Sequence, residues 1–387
     1  MLRRFFLCLS CLSFFLSGCA FQSPTHPGET LPAVNEPAVD PLAVSGYFRL
    51  PYEDAVKLSR SLSPARQGLG SWKDLRFAIR QSLAYVEGRP AGRVALSMPD
   101  EDITYGDMAK ALRRLEKLLP ALDRHPEQLA TAFRWYRRGP DFGFTGYYEP
   151  EILASPVQTE QFKHPLYRTP PDMKKIKRRR GRYYSRHEID CKGVIRGRGL
   201  ELAWVENPVD AFILQIQGSG RLRYENGQTR SILYASQNGH KYKALGRVMV
   251  ERGLLRREEV SMEAIRAWLA AHPEQQTELL DTNPSYVFFR LGDNKGSYGS
   301  MGRILTPWVS VATDQNVLPN GLLTMMHLAL PDENGQMTTP FNGLLLPQDT
   351  GGAIRNNRVD LFCGNGPWAT HTAGYLDTKG AVFLLLP

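Results

Sequence analysis

The sequence predicts a mainly β protein with α elements, in which an N-terminal helical region leads into the short strands of a small barrel. Three observations predict it. Between Ser71 and Leu119 apolar residues recur at helical spacing behind two capping pairs. At Phe142-Gly-Phe-Thr-Gly-Tyr-Tyr-Glu-Pro150 glycines and aromatics end that pattern. After Asn283 the chain breaks into short aliphatic runs divided by turn residues. No internal period of about 20 to 50 residues is visible, which excludes a repeat architecture. At 387 residues, with 42% hydrophobic and 22% charged, the chain can bury one or two cores and has the balance of a globular enzyme.

The elements follow in order. Arg3-Arg4 and the apolar run Phe5 to Leu16 form a secretory signal pattern over residues 1–18, too short to span as a mature membrane helix. Leu16-Ser17-Gly18-Cys19 resembles a bacterial lipobox, with cleavage before Cys19, its lipidation, and Ala20 in keeping with outer-membrane sorting. From Phe21 to Ser45, Pro24, Pro27, Pro32, Pro37 and Pro41 stand among small and polar residues, so 19–45 reads as a lipidated cysteine and an extended linker. Ser71 with Asp74 opens a helix whose Trp72, Leu75, Ile79, Leu83 and Val86 face inward. Thr104 with Asp107 does the same for Met108, Leu112, Leu115 and Leu119. Pro126 is expected to open a third helix, carrying Leu129, Phe133 and Tyr136.

The densest charge block, Lys174 to Arg182, is expected as a solvated loop able to meet anionic partners. It belongs to a basic chain, formal net charge +9. No helix-turn-helix, RNA-stacking signature or zinc knuckle surrounds the block, and with the secretory signal this excludes nucleic acid as a partner. Asn207 to Arg221 reads as a strand with Gln215 and Gln217 alternating around Ile216 before the Gly218-Ser-Gly220 turn. Helices are expected over Tyr242–Arg252, after the Ser261 cap, and from Pro273. Strands are expected at 309–312, 322–330, 343–346, 359–362 and 381–386.

Gln348-Asp-Thr-Gly-Gly-Ala-Ile354 and Arg358-Val-Asp-Leu-Phe362 set two carboxylates, Asp349 and Asp360, on opposite sides of a glycine turn. Two readings stand side by side. Either the pair brackets a cleft at a barrel end, or Asp349 caps a turn while Asp360 meets Arg355 or Arg358. Other chemistries fall away. The eight histidines include no His-x-x-x-His or His-x-x-His pair and the cysteines no cluster, so no metal site and no cofactor are expected. Ser219 lacks nucleophile-elbow spacing, and Gly218-Ser219-Gly220 lacks the lysine of a phosphate loop. Cys191 and Cys363 are expected as two isolated buried thiols, a disulfide between them being the alternative.

Six motifs in order, Phe144-Thr-Gly-Tyr-Tyr-Glu-Pro150, His164-Pro-Leu-Tyr-Arg168, Gln215-Ile-Gln-Gly-Ser-Gly220, Asn238-Gly-His240, Asn283-Pro-Ser-Tyr-Val-Phe-Phe289 and Gln348 to Ile354, resemble the membrane-bound lytic murein transglycosylase A family. The resemblance implies a double-psi β-barrel catalytic domain over 46–149 plus 295–387, bearing the N-terminal helices, and a second β-barrel domain inserted at 150–294. It implies that Asp360 is the catalytic acid and Asp349 its support. Thr145, Tyr147, Gln217 and Ser219 carry over as sugar contacts in a groove between the domains. The implied activity cleaves the β-1,4 bond between N-acetylmuramic acid and N-acetylglucosamine and forms 1,6-anhydromuramic acid. The implied partners are peptidoglycan glycan strands, the outer membrane through the anchor, with the body facing the periplasm, and cell-wall synthesis or division proteins. Departures are the Lys174–Arg182 block and Cys363, where the family often has a larger residue. Two alternatives remain: a non-catalytic wall-binding lipoprotein of barwin or expansin type, and a two-carboxylate glycoside hydrolase.

Overall fold

A computed structural model describes residues 46–387; the signal pattern, Cys19 and the linker lie outside them. The first part is helical: β1 (Tyr47–Arg49), α1 (Tyr52–Ser61), α2 (Arg76–Val86), a small β2–β3 ribbon (Val94–Ser97 and Asp102–Thr104), α3 (Tyr105–Leu122) and α4 (Gln128–Ala132). Both predicted capping boxes form. Ser71 pairs with Asp74 at the 3-10 turn that runs into α2, and Thr104 with Asp107 opens α3. The predicted stripes, Trp72 to Val86 and Met108 to Leu119, are buried.

The chain then enters β4 (Arg134–Tyr147), followed by β5 (Glu151–Ser155), β6 (His164–Tyr167), α5 (Met173–Arg180), α6 (Arg186–Asp190), β7 (Glu201–Val205), α7 (Pro208–Gln217), β8 (Ser219–Tyr224) and β9 (Thr229–Gln237). Next come α8 (Leu245–Glu251), α9 (Met262–Ala271), α10 (Pro273–Asp281) and β10 (Val287–Leu291). The last segment holds β11 (Ser310–Thr313), β12 (Thr324–Pro331), β13 (Met337–Asp349), β14 (Arg358–Phe362), α11 (Pro367–Tyr375) and β15 (Asp377–Leu386).

Six strands close on themselves in the order β4-β14-β11-β13-β12-β15, with β15 returning to pair β4, and β1 pairs with the first part of β4. The pairs β4–β14 and β11–β13 are parallel and the others antiparallel. Closure removes the sheet edges and points alternate side chains inward, so Phe142, Phe144, Val311, Leu345, Leu361 and Leu384 fill one core with the helical stripes. The second sheet, β10-β9-β8-β5-β7-β6, is built from strands that lie between β4 and β11 in sequence. An Arg168–Phe289 bridge brings its two edges together.

Buried glutamines tie the helices to the barrel. Gln67 donates to the Trp308 and Leu344 carbonyls and accepts from Leu344 N. Gln348, fully buried, accepts from Ser310 Oγ and donates to Ala78 O and Ser82 Oγ of α2, each at 2.8 Å. Because these amides are paired at both ends, they fix register rather than cost stability.

Several expectations are corrected. The helix expected from Pro126 stops at Ala132: Phe133 is extended and Tyr136 lies in β4, where pairing with β1 and β15 outweighs the local helical spacing. Asn207–Gln217 is a helix and not a strand. Asn207 caps it by accepting from Val209 N at 2.8 Å, Pro208 occupies the first turn, and Gly218 at φ +80° ends it. Its run Val209–Leu214 is packed on both sides, by the second sheet and by α8–α10, which is why no polar face betrays the helical period. The basic block is not a loop either, for Met173–Arg180 is helical and Gly181 at φ +76° ends it. The helix expected from Tyr242 begins at Leu245. Cys363 is buried but Cys191 is exposed, and both are free thiols.

Candidate active site

The barrel brings the two aspartates to either side of one residue. Ala312 of β11 stands opposite Asp349 of β13 on one flank and opposite Asp360 of β14 on the other, so their backbones are two strand spacings, about 10 Å, apart. Asp360 in turn stands opposite Thr145 of β4, and Phe362 opposite Tyr147. The glycine turn and the Thr-Gly-Tyr-Tyr segment, far apart in sequence, thus form one wall.

Hydrogen bonds distinguish the two carboxylates. Thr145 Oγ1 donates to Asp360 Oδ1 at 2.7 Å. Asp349 is held by three donors: Ser300 N at 2.7 Å and Thr350 N at 2.8 Å on Oδ1, and Tyr147 Oη at 2.9 Å on Oδ2. Ser300 can approach because Gly299 has no Cβ; one would stand 2.4 Å from the Gln348 carbonyl and 2.6 Å from Leu305 Cδ2. Gln348, next to Asp349, is clamped to α2, so the helical region sets the position of this carboxylate. Behind β4, Gly146 packs against Ala373 and Cys363.

Desolvation by burial pushes the Asp360 carboxyl up to about 6; the Thr145 hydrogen bond and the positive charge of Arg358 oppose the rise, and Asp349 adds to it. Burial also raises Asp349, against the pull of its three donors, and the Tyr147 hydroxyl rises well above its usual range through burial and the neighbouring Asp349. Burial and Asp360 keep the Cys363 thiol protonated. The arginine partner considered for Asp360 is not formed: among the described residues neither Arg355 nor Arg358 makes an ion pair with it.

The remaining predicted contacts lie on the second sheet's side. Gln217, the last residue of α7, accepts from Tyr148 N at 3.1 Å. It therefore fixes the chain one residue beyond Tyr147. Ser219 opens β8 opposite Leu233, and no hydrogen bond among the described residues joins it to either aspartate. Arg221, two residues on, pairs with the buried Glu149 at 2.8 Å, which locks the Gly-Ser-Gly turn to the Tyr-Tyr-Glu-Pro segment. Sequence reasoning named Asp349, Asp360, Thr145 and Tyr147 as site residues along with Gln217 and Ser219, and the structure brings the first four to one wall. It missed Gly299-Ser300, whose only signal is a glycine-rich loop, and the clamp on Gln348, which has no local signature.

Comparison with known proteins adds to this geometry. Residues 143–290 match the family described as MltA specific insert domain, and residues 309–386 match the 3D domain. The chain is 34% identical over 313 residues to membrane-bound lytic murein transglycosylase A of Escherichia coli (strain K12), covering 73% of this chain and 82% of that one. It belongs to the membrane-bound lytic murein transglycosylase A family. Among solved structures it is similar to a membrane-bound lytic murein transglycosylase from Agrobacterium tumefaciens, with a TM-score of 0.74 and 28% identity over 88% of this chain and 98% of that one. It is also similar to E. coli MltA with bound chitohexaose, with a TM-score of 0.67 and 29% identity over 80% of this chain and 89% of that one. Within this family the chain carries the glycine-turn aspartates on the closed barrel and the Gln-Gly-Ser-Gly segment at the junction of α7 with β8 of the second sheet.

Proposed function

We propose that this enzyme is a lytic transglycosylase of peptidoglycan, cutting the β-1,4 bond between N-acetylmuramic acid and N-acetylglucosamine with Asp360 as its acid and base. The carrying observation is the asymmetry of the two carboxylates' hydrogen bonds: among the described residues Asp360, pushed up to about 6, accepts from Thr145 alone, whereas Asp349, also raised by burial, accepts from Ser300, Thr350 and Tyr147. A hydrolase needs a second carboxylate to activate water or attack the sugar, and Asp349 has three of its acceptor positions taken by protein donors.

The substrate offers its own nucleophile. Protonated Asp360 gives its proton to the leaving O4 as the C1–O4 bond breaks. The muramic 6-hydroxyl oxygen then bonds C1 to close the 1,6-anhydro ring, and its proton returns to Asp360. No water is consumed, and the intramolecular hydroxyl acts at high effective concentration. A pKa near 6 leaves part of the acid protonated near neutrality. Thr145 tunes that acid and, with Tyr147, Gln217 and Ser219, contacts the glycan; Asp349 orients the wall of the groove.

In this reading 46–149 and 295–387 form a double-psi β-barrel domain and 150–294 an inserted β-barrel domain. The parallel β4–β14 and β11–β13 pairs and the insert-domain match at 143–290 support it. The chitohexaose bound by the E. coli relative supports a glycan groove. Lipidation at Cys19 tethers the body to the outer membrane facing the periplasm, within reach of cell-wall synthesis or division proteins. Among the described residues no helix is long and apolar enough to cross a membrane. Incubating the purified protein with wall sacculi tests the reading: soluble muropeptides are expected, whereas a wall-binding lipoprotein would cosediment and release none.

A further inference from the structure

The described residues hold one group of side chains with metal-ligand chemistry that the catalytic wall does not use: His187, Cys191 and Asp281. His187 and Cys191 lie four residues apart on α6 and its C-terminal end, so they share a face. Asp281 ends α10, 94 residues after His187 and 90 after Cys191, and its Oδ2 is the meeting point: His187 Nδ1 is 2.7 Å away and Cys191 Sγ 3.3 Å. All three ligand atoms lie within 4.8 Å of one another.

We propose that His187, Cys191 and Asp281 form a zinc site, with solvent in the fourth position, that staples α6 to the end of α10. The ligand set is one imidazole, one thiolate and one carboxylate oxygen, which suits a borderline-soft divalent ion. Tetrahedral zinc with bonds of about 2.0–2.3 Å keeps its ligand atoms about 3.3–3.8 Å apart. The Cys191–Asp281 separation already meets this; the imidazole has to retreat from Asp281 by about half an ångström, and the imidazole and the thiol, up to 4.8 Å apart, have to close by up to about 1 Å, a movement within reach of two exposed side chains. On binding, the Cys191 thiol proton and any proton shared between His187 and Asp281 leave to solvent, and three coordinate bonds replace two hydrogen bonds.

The backbone around the site is fixed without the ion. Ser185 and Glu188 cap α6. Arg186, beside His187 and almost fully buried, donates to the Asn283 and Ser285 carbonyls just past Asp281 and to Gln215 Oε1 at 2.7 Å. Ligands from two elements are thus held together by a buried guanidinium that is not itself a ligand, while His187 and Cys191 are open to solvent for entry. A Cys-His-Asp nucleophile is a poorer account, because the thiol hydrogen-bonds Asp281 and not the imidazole that would have to deprotonate it.

The test uses the full mature chain stripped of metal with chelator. Titration with zinc should give one equivalent bound per chain, and cobalt in its place should give the absorption of a thiolate-bound tetrahedral ion. H187A and C191S should each weaken binding by at least about tenfold, no less than the loss of an outer-sphere partner costs. Asp281→Asn should weaken it too, and zinc should raise the Tm of the parent and not of C191S. Absence of binding overturns the proposal. So does binding unchanged in H187A, which would mark a solitary exposed thiol. Because the site lies outside the aspartate wall, sacculus cleavage by C191S is expected to match the parent, so failure here leaves the catalytic reading separately testable.

Discussion

Replacing Thr145 by Val removes the donor on Asp360 Oδ1 while keeping a β-branched side chain in β4. A hydrogen bond to a charged group is worth about 1.5–3 kcal/mol, or roughly one to two pKa units at about 1.4 kcal/mol per unit. Asp360 is partly exposed and water can replace some of that donation, so the lower end applies. The donor stabilises the carboxylate, and its loss must therefore raise the pKa, from about 6 toward about 7. An acid that has to start protonated loses activity as pH rises through its pKa, so the alkaline limb of kcat/KM should move about one unit up. At pH 7 the protonated fraction would grow from about one tenth to about one half, a relative gain of about fivefold. At pH 5 both forms are largely protonated, and there the variant should be no faster, with any lost sugar contact lowering the whole curve. The assay is release of soluble muropeptides from sacculi between pH 4.5 and 8.5. A limb that stays in place, or moves down, would refute the assignment of Thr145 as the group that tunes the acid.

Other predictions follow from the same wall. Asp360→Asn should lower turnover by at least about a hundredfold, since acid–base groups contribute roughly 10² to 10⁴, while sacculus binding persists. The same variant should be more stable than the parent at pH 7.5 and no more stable at pH 4. Folded Asp360 holds its proton more tightly than in the unfolded chain, so the parent loses stability as pH rises from the unfolded value of 3.8 through about 6. The loss, about 3 kcal/mol at most, is complete above that window; thermal melts at the two pH values check it. Asp349→Asn should reduce activity well short of the Asp360 variant, read as kcat on sacculi, since in the proposed mechanism Asp349 orients the wall and Asp360 transfers the proton. Gly299→Ala should cost roughly 1–3 kcal/mol in a denaturant melt and lower activity, since its Cβ would meet the Gln348 carbonyl and displace Ser300 from Asp349.

The fold was legible wherever local chemistry and tertiary pairing agree. Ser71 with Asp74 and Thr104 with Asp107 announce helices because the cap is made within four residues. The five C-terminal strands are readable because turn residues bound aliphatic runs. Tyr136 was misread because a strand of the barrel can carry helical spacing by accident, and only β15 and β1, distant in sequence, decide it. The Asn207–Gln217 helix was misread because both of its faces are buried, which erases the period-3.6 signal although Asn207, Pro208 and Gly218 mark its ends. At the site, the carboxylates stood out as acids flanking a glycine turn. Their unequal hydrogen bonding did not, for two of the three donors to Asp349 are Ser300 and Tyr147, brought in from other parts of the chain.

The central claim is that one carboxylate works and the substrate's own 6-hydroxyl is the nucleophile. Digesting sacculi in water enriched in heavy oxygen and weighing the muropeptides by mass spectrometry tests it directly. The account predicts fragments ending in 1,6-anhydromuramic acid, lighter by one water than hydrolytic ends and free of the label. Reducing muramic acid ends carrying the heavy oxygen would contradict it and make Asp349 the base of a hydrolase.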